Sequence, residues 1–277
     1  MSEAVLSLIQ PVALSAGRNW QRYTPLQRRL RFGVWLVLVA AMAQSVRHVE
    51  IIPEFLYDAP EQMADLLSRM WPPDRAHYPE TVHAALMETL RIASLGTLLS
   101  LLLAVPLGLQ VANNLTPNRA VNLFARILLV SSRSVNSLVW TLLFLAVFGP
   151  GPLAGTLAIA CRSVGFVGKL LGEALEQASR GPIEALETAG AGWFSRIAYG
   201  CWPQVKPAFW SMVVLRWDIN VRESAVLGLV GAGGIGMVLD TAMNLFQWNR
   251  VATVLMAVFT VVVLAEVVVT QVRKRLL

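Results

Sequence analysis

The stretch Val226-Leu227-Gly228-Leu229-Val230-Gly231-Ala232-Gly233-Gly234-Ile235-Gly236 decides the fold. Residues 231–236 satisfy G-x-G-x-x-G between two apolar runs, and alone they would make the chain a dinucleotide-binding enzyme. That fingerprint needs a βαβ unit and an acidic residue about 20 positions on to hold a ribose. Near position 256 the chain instead reads Thr253-Val254-Leu255-Met256-Ala257-Val258, and Asp240 stands too close. The glycines are better read inside a membrane helix, where they let backbones approach closely and let a helix break near its end. Gly228, Gly231, Gly233, Gly234 and Gly236 are then candidates for a gate or hinge, in a flexible or broken stretch at the outer end of a span. The competing reading is that they serve packing alone.

Composition agrees with a bilayer as solvent. Of 277 residues, 56% are hydrophobic and 14% charged, against about 25% charged in soluble proteins. Apolar segments lie near residues 32–46, 86–111, 127–148, 152–170, 207–231 and 250–271. A span needs about 20 apolar residues, and five of the six reach that length. The first has 15, so its helix must extend past its ends or rely on flanking arginines that snorkel. A signal peptide cut after Ala41-Met42-Ala43 is the rival reading of that segment, and Arg28-Arg29 hints at a twin-arginine signal. The long basic region before it and the five spans after it favour an uncleaved anchor. Cys161 and Cys201, far apart, are expected as free thiols.

The net charge of +6 has a layout. With the amino terminus inside, Arg18, Arg22, Arg28, Arg29, Arg31, Arg119, Arg126, Arg180, Arg196, Lys206, Arg273, Lys274 and Arg275 fall on cytoplasmic pieces, and only Arg47, Arg69 and Arg75 fall outside. The positive-inside bias puts both termini in the cytoplasm. The same scatter, with no groove-reading motif, removes nucleic acid as a partner. The expected organisation is a cytoplasmic segment 1–31, an anchor helix and outer loop 32–85, a transmembrane domain 86–271 with a cytoplasmic loop 171–206, and a tail 272–277. The outer loop holds seven acidic residues and the rigid turn Trp71-Pro72-Pro73-Asp74. Residues Pro60 to Met70 there form an amphipathic helix, either at the membrane interface or packed on the bundle.

The cytoplasmic loop contains Glu184-Ala185-Leu186-Glu187-Thr188-Ala189-Gly190, followed by Trp202-Pro203-Gln204. Gly181-Pro182 opens a short helix, Glu184 and Glu187 favour its positive end, and Gly190 closes it. Ile183, Leu186, Ala185 and Ala189 give a compact face suited to a partner's groove. Here the chain resembles the membrane subunits of bacterial ABC importers, whose loop carries Glu-Ala-Ala, three residues, Gly, nine residues, Ile, one residue, Leu-Pro. It matches at Glu184, Ala185, Gly190 and Pro203, has Leu186 for the second Ala, and departs at Gly200 and Trp202. The resemblance implies that Pro182, Glu184, Ala185, Leu186, Gly190 and Pro203 belong to an ATPase-coupling loop. Trp71-Pro72-Pro73-Asp74, Glu88-Thr89-Leu90 leading into Gly96-Thr97, Ala104-Val105-Pro106-Leu107-Gly108 and the glycine stretch look like the permease of phosphonate and phosphite uptake systems.

Charges also lie inside the apolar stretches. Each costs about 2.5 to 3.5 kcal/mol at mid-bilayer unless paired or wet. At 100° per residue, Arg216, Asn220 and Glu223 share one face, and Asp218 and Arg222 the opposite one. Arg133 with Ser134 and Asn136, and Arg162 with Ser163, add polar groups in the third and fourth spans. Arg133, Ser134, Asn136, Arg162, Arg216, Asn220, Arg222 and Glu223 are therefore candidates for an anion pathway, with Arg222 and Arg133 foremost. The alternative is structural ion pairing, or snorkelling by Arg216.

The expected fold is an all-α integral membrane protein of six transmembrane helices, a type I ABC importer transmembrane domain in the bacterial inner membrane. The expected function is the permease subunit for phosphonate, phosphite or a related small phosphorus oxyanion, not an enzyme, with no catalytic residue and no metal site. No G-x-x-x-x-G-K-[ST] is present, Val167-Gly168-Lys169-Leu170 lacking the preceding glycine and the following hydroxyl. No cofactor is expected on this chain, ATP and Mg being held by a separate ATPase. The resemblance implies as partners a second copy, two ATPase subunits and an extracytoplasmic substrate-binding protein, besides lipid. The runner-up, an ion-coupled secondary anion transporter, should show an internal repeat and paired broken helices. A membrane-tethered dinucleotide enzyme is the third reading.

Overall fold

A computed structural model of the chain describes residues 23–48, 53–116 and 118–276, and every regular element among them is helical. Arg18 and Arg22 lie outside the described residues. By internal packing the chain divides into two units, residues 1–62 and 63–277.

The first unit holds α1 (Pro25–His48) and the start of α2 (Pro53–Met70). A capping box starts α1: the Thr24 N–H donates to Gln27 Oε1 (3.2 Å) and the Gln27 N–H to Thr24 Oγ1 (3.4 Å), with Pro25 at the first helical position. The resulting 24-residue helix extends past both ends of the 15-residue apolar run. Its large apolar side chains, Phe32 and Trp35 among them, are exposed, as suits contact with lipid. The amphipathic helix expected from Pro60 begins at Pro53 and ends at Met70.

In the second unit the turn after α2, with a cis Trp71–Pro72 bond, is tied to a distant helix. Thr253 Oγ1 donates to the Asp74 carbonyl (3.0 Å), and Arg250 pairs with the Asp74 carboxylate (3.4 Å). A wide helical turn over Tyr78–Val82 leads into α3 (His83–Val111), followed by α4 (Arg119–Ser134), α5 (Ser137–Phe148) and α6 (Pro152–Glu176). The chain continues through α7 (Arg180–Thr188), α8 (Trp193–Ser195), α9 (Trp202–Leu227), α10 (Ile235–Asn244) and α11 (Trp248–Leu276). Helix α6 is central, packed on α3, α4, α5 and α9, while α11 lies against α9 and α10. Four helical stretches are long and apolar enough to span a bilayer, Pro25–His48, Tyr78–Val111, Pro152–Glu176 and Trp248–Arg275; two bent pairs bring the number to six.

One bent pair corrects the continuous third span expected over 127–148. Helices α4 and α5 meet at 91°. Val135 is extended, and Asn136 Oδ1 accepts from the Leu138 N–H (3.1 Å), so an asparagine cap starts a new helix inside an apolar run. Asn118 caps α4 in the same way, through the Ala120 N–H (2.9 Å).

The other pair is the glycine stretch, where the chain bends by 40° between α9 and α10. The break is packed: residues 232–236 are buried. A Cβ on Gly228 would lie 2.7 Å from Gly236 Cα. Gly234 has φ of +73° and sits over Thr89, whose Oγ1 accepts from the Ile235 N–H (2.8 Å). Among the described residues there is no strand, so the βαβ context of a dinucleotide site is absent.

Candidate translocation site and coupling loop

A basic cavity lies where α4, α6 and α9 meet. Arg133, Ser134, Arg162, Phe166 and Arg216 line about 320 Å³. The bend between α4 and α5 brings Arg133 and Ser134 there, and α6 and α9 supply the rest. The Glu223 carboxylate bridges Arg162 and Arg216, one oxygen on each guanidinium (3.4 Å to Arg216). Arg162 also donates to Ser137 Oγ (3.1 Å). Arg216, buried and 5.4 Å from the Phe166 ring, donates through Nε to Ser163 Oγ (2.9 Å). Ser163 in turn donates to Asn220 Oδ1 (3.1 Å), and Asn220 donates to Thr97 Oγ1 (2.8 Å). The relay fixes Arg216 from behind. Arg133 has no hydrogen-bond or ion-pair partner among the described residues.

Three guanidinium groups thus line one open space, and the Glu223 carboxylate bridges two of them. A water occupies about 30 Å³, so a small oxyanion fits there with several waters. Of the pathway candidates read from the sequence, Arg133, Ser134, Arg162 and Arg216 line the cavity, Glu223 and Asn220 hold its arginines, and Asn136 caps α5 beside it. Arg222 is placed elsewhere. On the opposite side of α9 it pairs with Asp218 (2.6 Å) and with Glu266 of α11.

The loop between α6 and α9 is braced from behind. Helix α7 closes on Gly190 at φ +76°: the Ala191 N–H donates to the Leu186 carbonyl (2.9 Å) and the Gly190 N–H to that of Glu187 (3.0 Å), a Schellman closure. Ile183 and Leu186 turn inward onto Gly200, where a Cβ would lie 3.4 and 3.3 Å from their side chains. The compact face expected to include these two residues is therefore made of exposed Pro182, Glu184, Ala185 and Ala189. Gly200, a departure from the familiar loop pattern, is the space that lets α7 seat. Gln204 Oε1 accepts from the Ser179 N–H (2.9 Å) and its amide donates to the Gly200 carbonyl (2.7 Å), while Arg196 pairs with Glu187 (2.9 Å).

Residues 104–277 match the family described as the binding-protein-dependent transport system inner membrane component. The chain belongs to this family of ABC importer permeases. The permease is 37% identical to the phosphate-import permease protein PhnE of Mycolicibacterium smegmatis over 83% of its own length, spanning 43% of that protein. It is 35% identical to the phosphite transport system permease protein PtxC of Stutzerimonas stutzeri, over 74% of each chain. Its fold is similar to that of a permease chain in the inward-facing MetNI methionine ABC transporter, with a TM-score of 0.63 at 19% identity over 71% of this chain and 96% of the other. Membership makes it an inner-membrane translocation component, with ATP hydrolysis on a separate subunit.

Sequence reasoning missed Glu266 of the permease, the partner of Arg222, although a lone carboxylate in Leu264-Ala265-Glu266-Val267-Val268 is itself a signal. It also missed Phe166 beside Arg216, which periodicity alone does not mark.

Proposed function

We propose that the permease carries phosphate, phosphite, a phosphonate or a related phosphorus oxyanion through the cavity lined by Arg133, Arg162 and Arg216. The names of its relatives support the substrate class, and the surplus of guanidinium groups over carboxylate is the observation that carries the reading. Guanidinium forks hydrogen-bond phosphorus oxygens in pairs. Glu223 moderates that attraction, since an anion held too tightly does not leave.

One chain supplies half a pore, so the working unit is a homodimer bearing two ATPase subunits, which hold ATP and Mg, and an extracytoplasmic binding protein. Both termini and α7 face the cytoplasm, following the basic residues. ATP-driven closure of the ATPases pulls on the exposed face of α7. Gln204, Arg196 and the Ile183–Leu186–Gly200 packing pass that motion into α9, which carries Arg216 and Glu223. The packed break at Gly228–Gly236 acts as the hinge at the outer end.

The test is uptake of radiolabelled phosphate, phosphite and methylphosphonate by proteoliposomes holding the permease, its ATPase and its binding protein. ATP-dependent import of at least one is expected, and uptake that persists with a hydrolysis-dead ATPase overturns the reading. Gly190→Trp, at a left-handed position that costs a side chain about 1–2 kcal/mol, should leave membrane insertion intact and uncouple ATP hydrolysis from uptake.

A further inference from the structure

Three basic residues of α4 lie seven apart, Arg119, Arg126 and Arg133. At 100° per residue that spacing makes one stripe along the helix. The stripe runs beside α6, and the space along it is a series of cavities. The 320 Å³ cavity at Arg133, Arg162 and Arg216 adjoins one of about 210 Å³ that includes Arg133, Lys169 and Arg126. This adjoins a third of about 680 Å³ at Arg126, Asn122 and Arg119. Each neighbouring pair shares an arginine. From Arg133 to Arg119 the helix rises about 21 Å at 1.5 Å per residue, against a hydrocarbon thickness of about 30 Å.

The charges along the seam are graded. Arg119 and Arg133 have no ion-pair or hydrogen-bond partner among the described residues. Between them Arg126 is 3.6 Å from Glu176, and Lys169 is 3.2 Å from Glu173. These four paired side chains are each between a third and a half exposed in the single chain. In the expected topology these charges lie toward the cytoplasmic end of the span, where groups so exposed face water or a partner, whereas Phe124 and Leu128, on the other side of α4, offer apolar surface to lipid. The seam is pinned by Gly165 of α6, where a Cβ would fall 2.5 Å from the Leu129 carbonyl oxygen. Ser132 Oγ, next to Arg133, accepts from the Gly165 N–H (3.1 Å) and donates to the Cys161 carbonyl.

We propose that the α4–α6 seam is the exit track of the oxyanion, a run of cationic rungs from the mid-membrane cavity to the amino-terminal end of α4. It rests on the reading that this cavity takes the oxyanion. Free rungs attract the anion, and the carboxylates at Glu173 and Glu176 compete for the paired ones, so that no rung holds it for long. An anionic lipid headgroup shares this chemistry, and the test separates the two sources.

The assembled transporter is reconstituted in phosphatidylcholine alone and with added phosphatidylglycerol, and ATP-driven uptake of labelled phosphate and methylphosphonate is measured for wild type, Arg126→Gln, Arg126→Lys and Arg119→Gln. Arg126→Gln is expected to lower the maximal rate about tenfold with the half-saturating concentration unchanged, and Arg119→Gln to lower it several-fold. Arg126→Lys should restore most of the rate, and all of these effects should be equal in both lipids. Wild-type rates in both Gln variants overturn the track while leaving the cavity reading in place. A loss confined to phosphatidylglycerol vesicles assigns the rungs to lipid and also overturns it. Failure of the wild type to import either probe, or phosphite in the same assay, overturns the oxyanion reading, and the track with it.

Discussion

The two sides of α9 carry opposite surpluses of charge. Toward α6, Glu223 is shared by Arg162 and Arg216, Arg133 adds a third cation, and the group surrounds an open cavity. Toward α11, Arg222 is shared by Asp218 and Glu266. One side has cations to spare and the other carboxylates. An anion is drawn to the first and repelled by the second. Charge inside a span is therefore an incomplete clue to a pathway, and the sign left over after pairing is the sharper one. On that criterion Arg133 is the residue proposed for transport, and Arg222, given equal weight from sequence, ties α9 to α11.

The largest effect that would sharpen this comparison comes from Glu223→Gln. It leaves Arg162 and buried Arg216 facing each other without a counter-charge; because Arg162 and Glu223 are partly exposed, the cost falls below the ~3–5 kcal/mol of breaking a fully buried pair. The purified variant should melt at markedly lower temperature and lose uptake, and a wild-type melting curve would break the scheme. Arg222→Gln should come next: it leaves buried Asp218 without its partner, a loss of about 1–3 kcal/mol, visible as reduced thermal stability with uptake per folded transporter preserved. The smallest effect belongs to the double variant Asp218→Asn with Arg222→Gln. Both charges leave together, so stability should return to within about 1 kcal/mol of wild type, and a deficit as large as that of Arg222→Gln alone would contradict the assignment of this side to ion pairing.

How far these arrangements were legible in sequence follows from distance along the chain. Helical periodicity separated Arg216, Asn220 and Glu223 from Asp218 and Arg222 because all five lie within two turns of α9. The close of α7 at Gly190 was readable for the same local reason. The 91° bend was not anticipated, because Val135-Asn136-Ser137 lacks Pro and Gly and the hydropathy runs on through it; the capping preference of Asn136 was the available sign. The pairing of Arg222 with Glu266 spans 44 residues, and that of Arg162 with Glu223 spans 61, so packing alone decides them. Likewise Gly200 looked like a mismatch until it proved to be where Ile183 and Leu186 sit.

The most direct test of the division between the two sides is the ratio of ATP-driven phosphorus oxyanion uptake by Arg133→Gln to that by Glu266→Gln, at equal incorporation into the same vesicles. Among the described residues Arg133 has no ion pair to lose, and Arg222 keeps Asp218 when Glu266 is neutralised. The account predicts at least a tenfold fall for Arg133→Gln and a rate within about twofold of wild type for Glu266→Gln, each tenfold corresponding to about 1.4 kcal/mol. Equal rates, or a greater loss at Glu266, would contradict it.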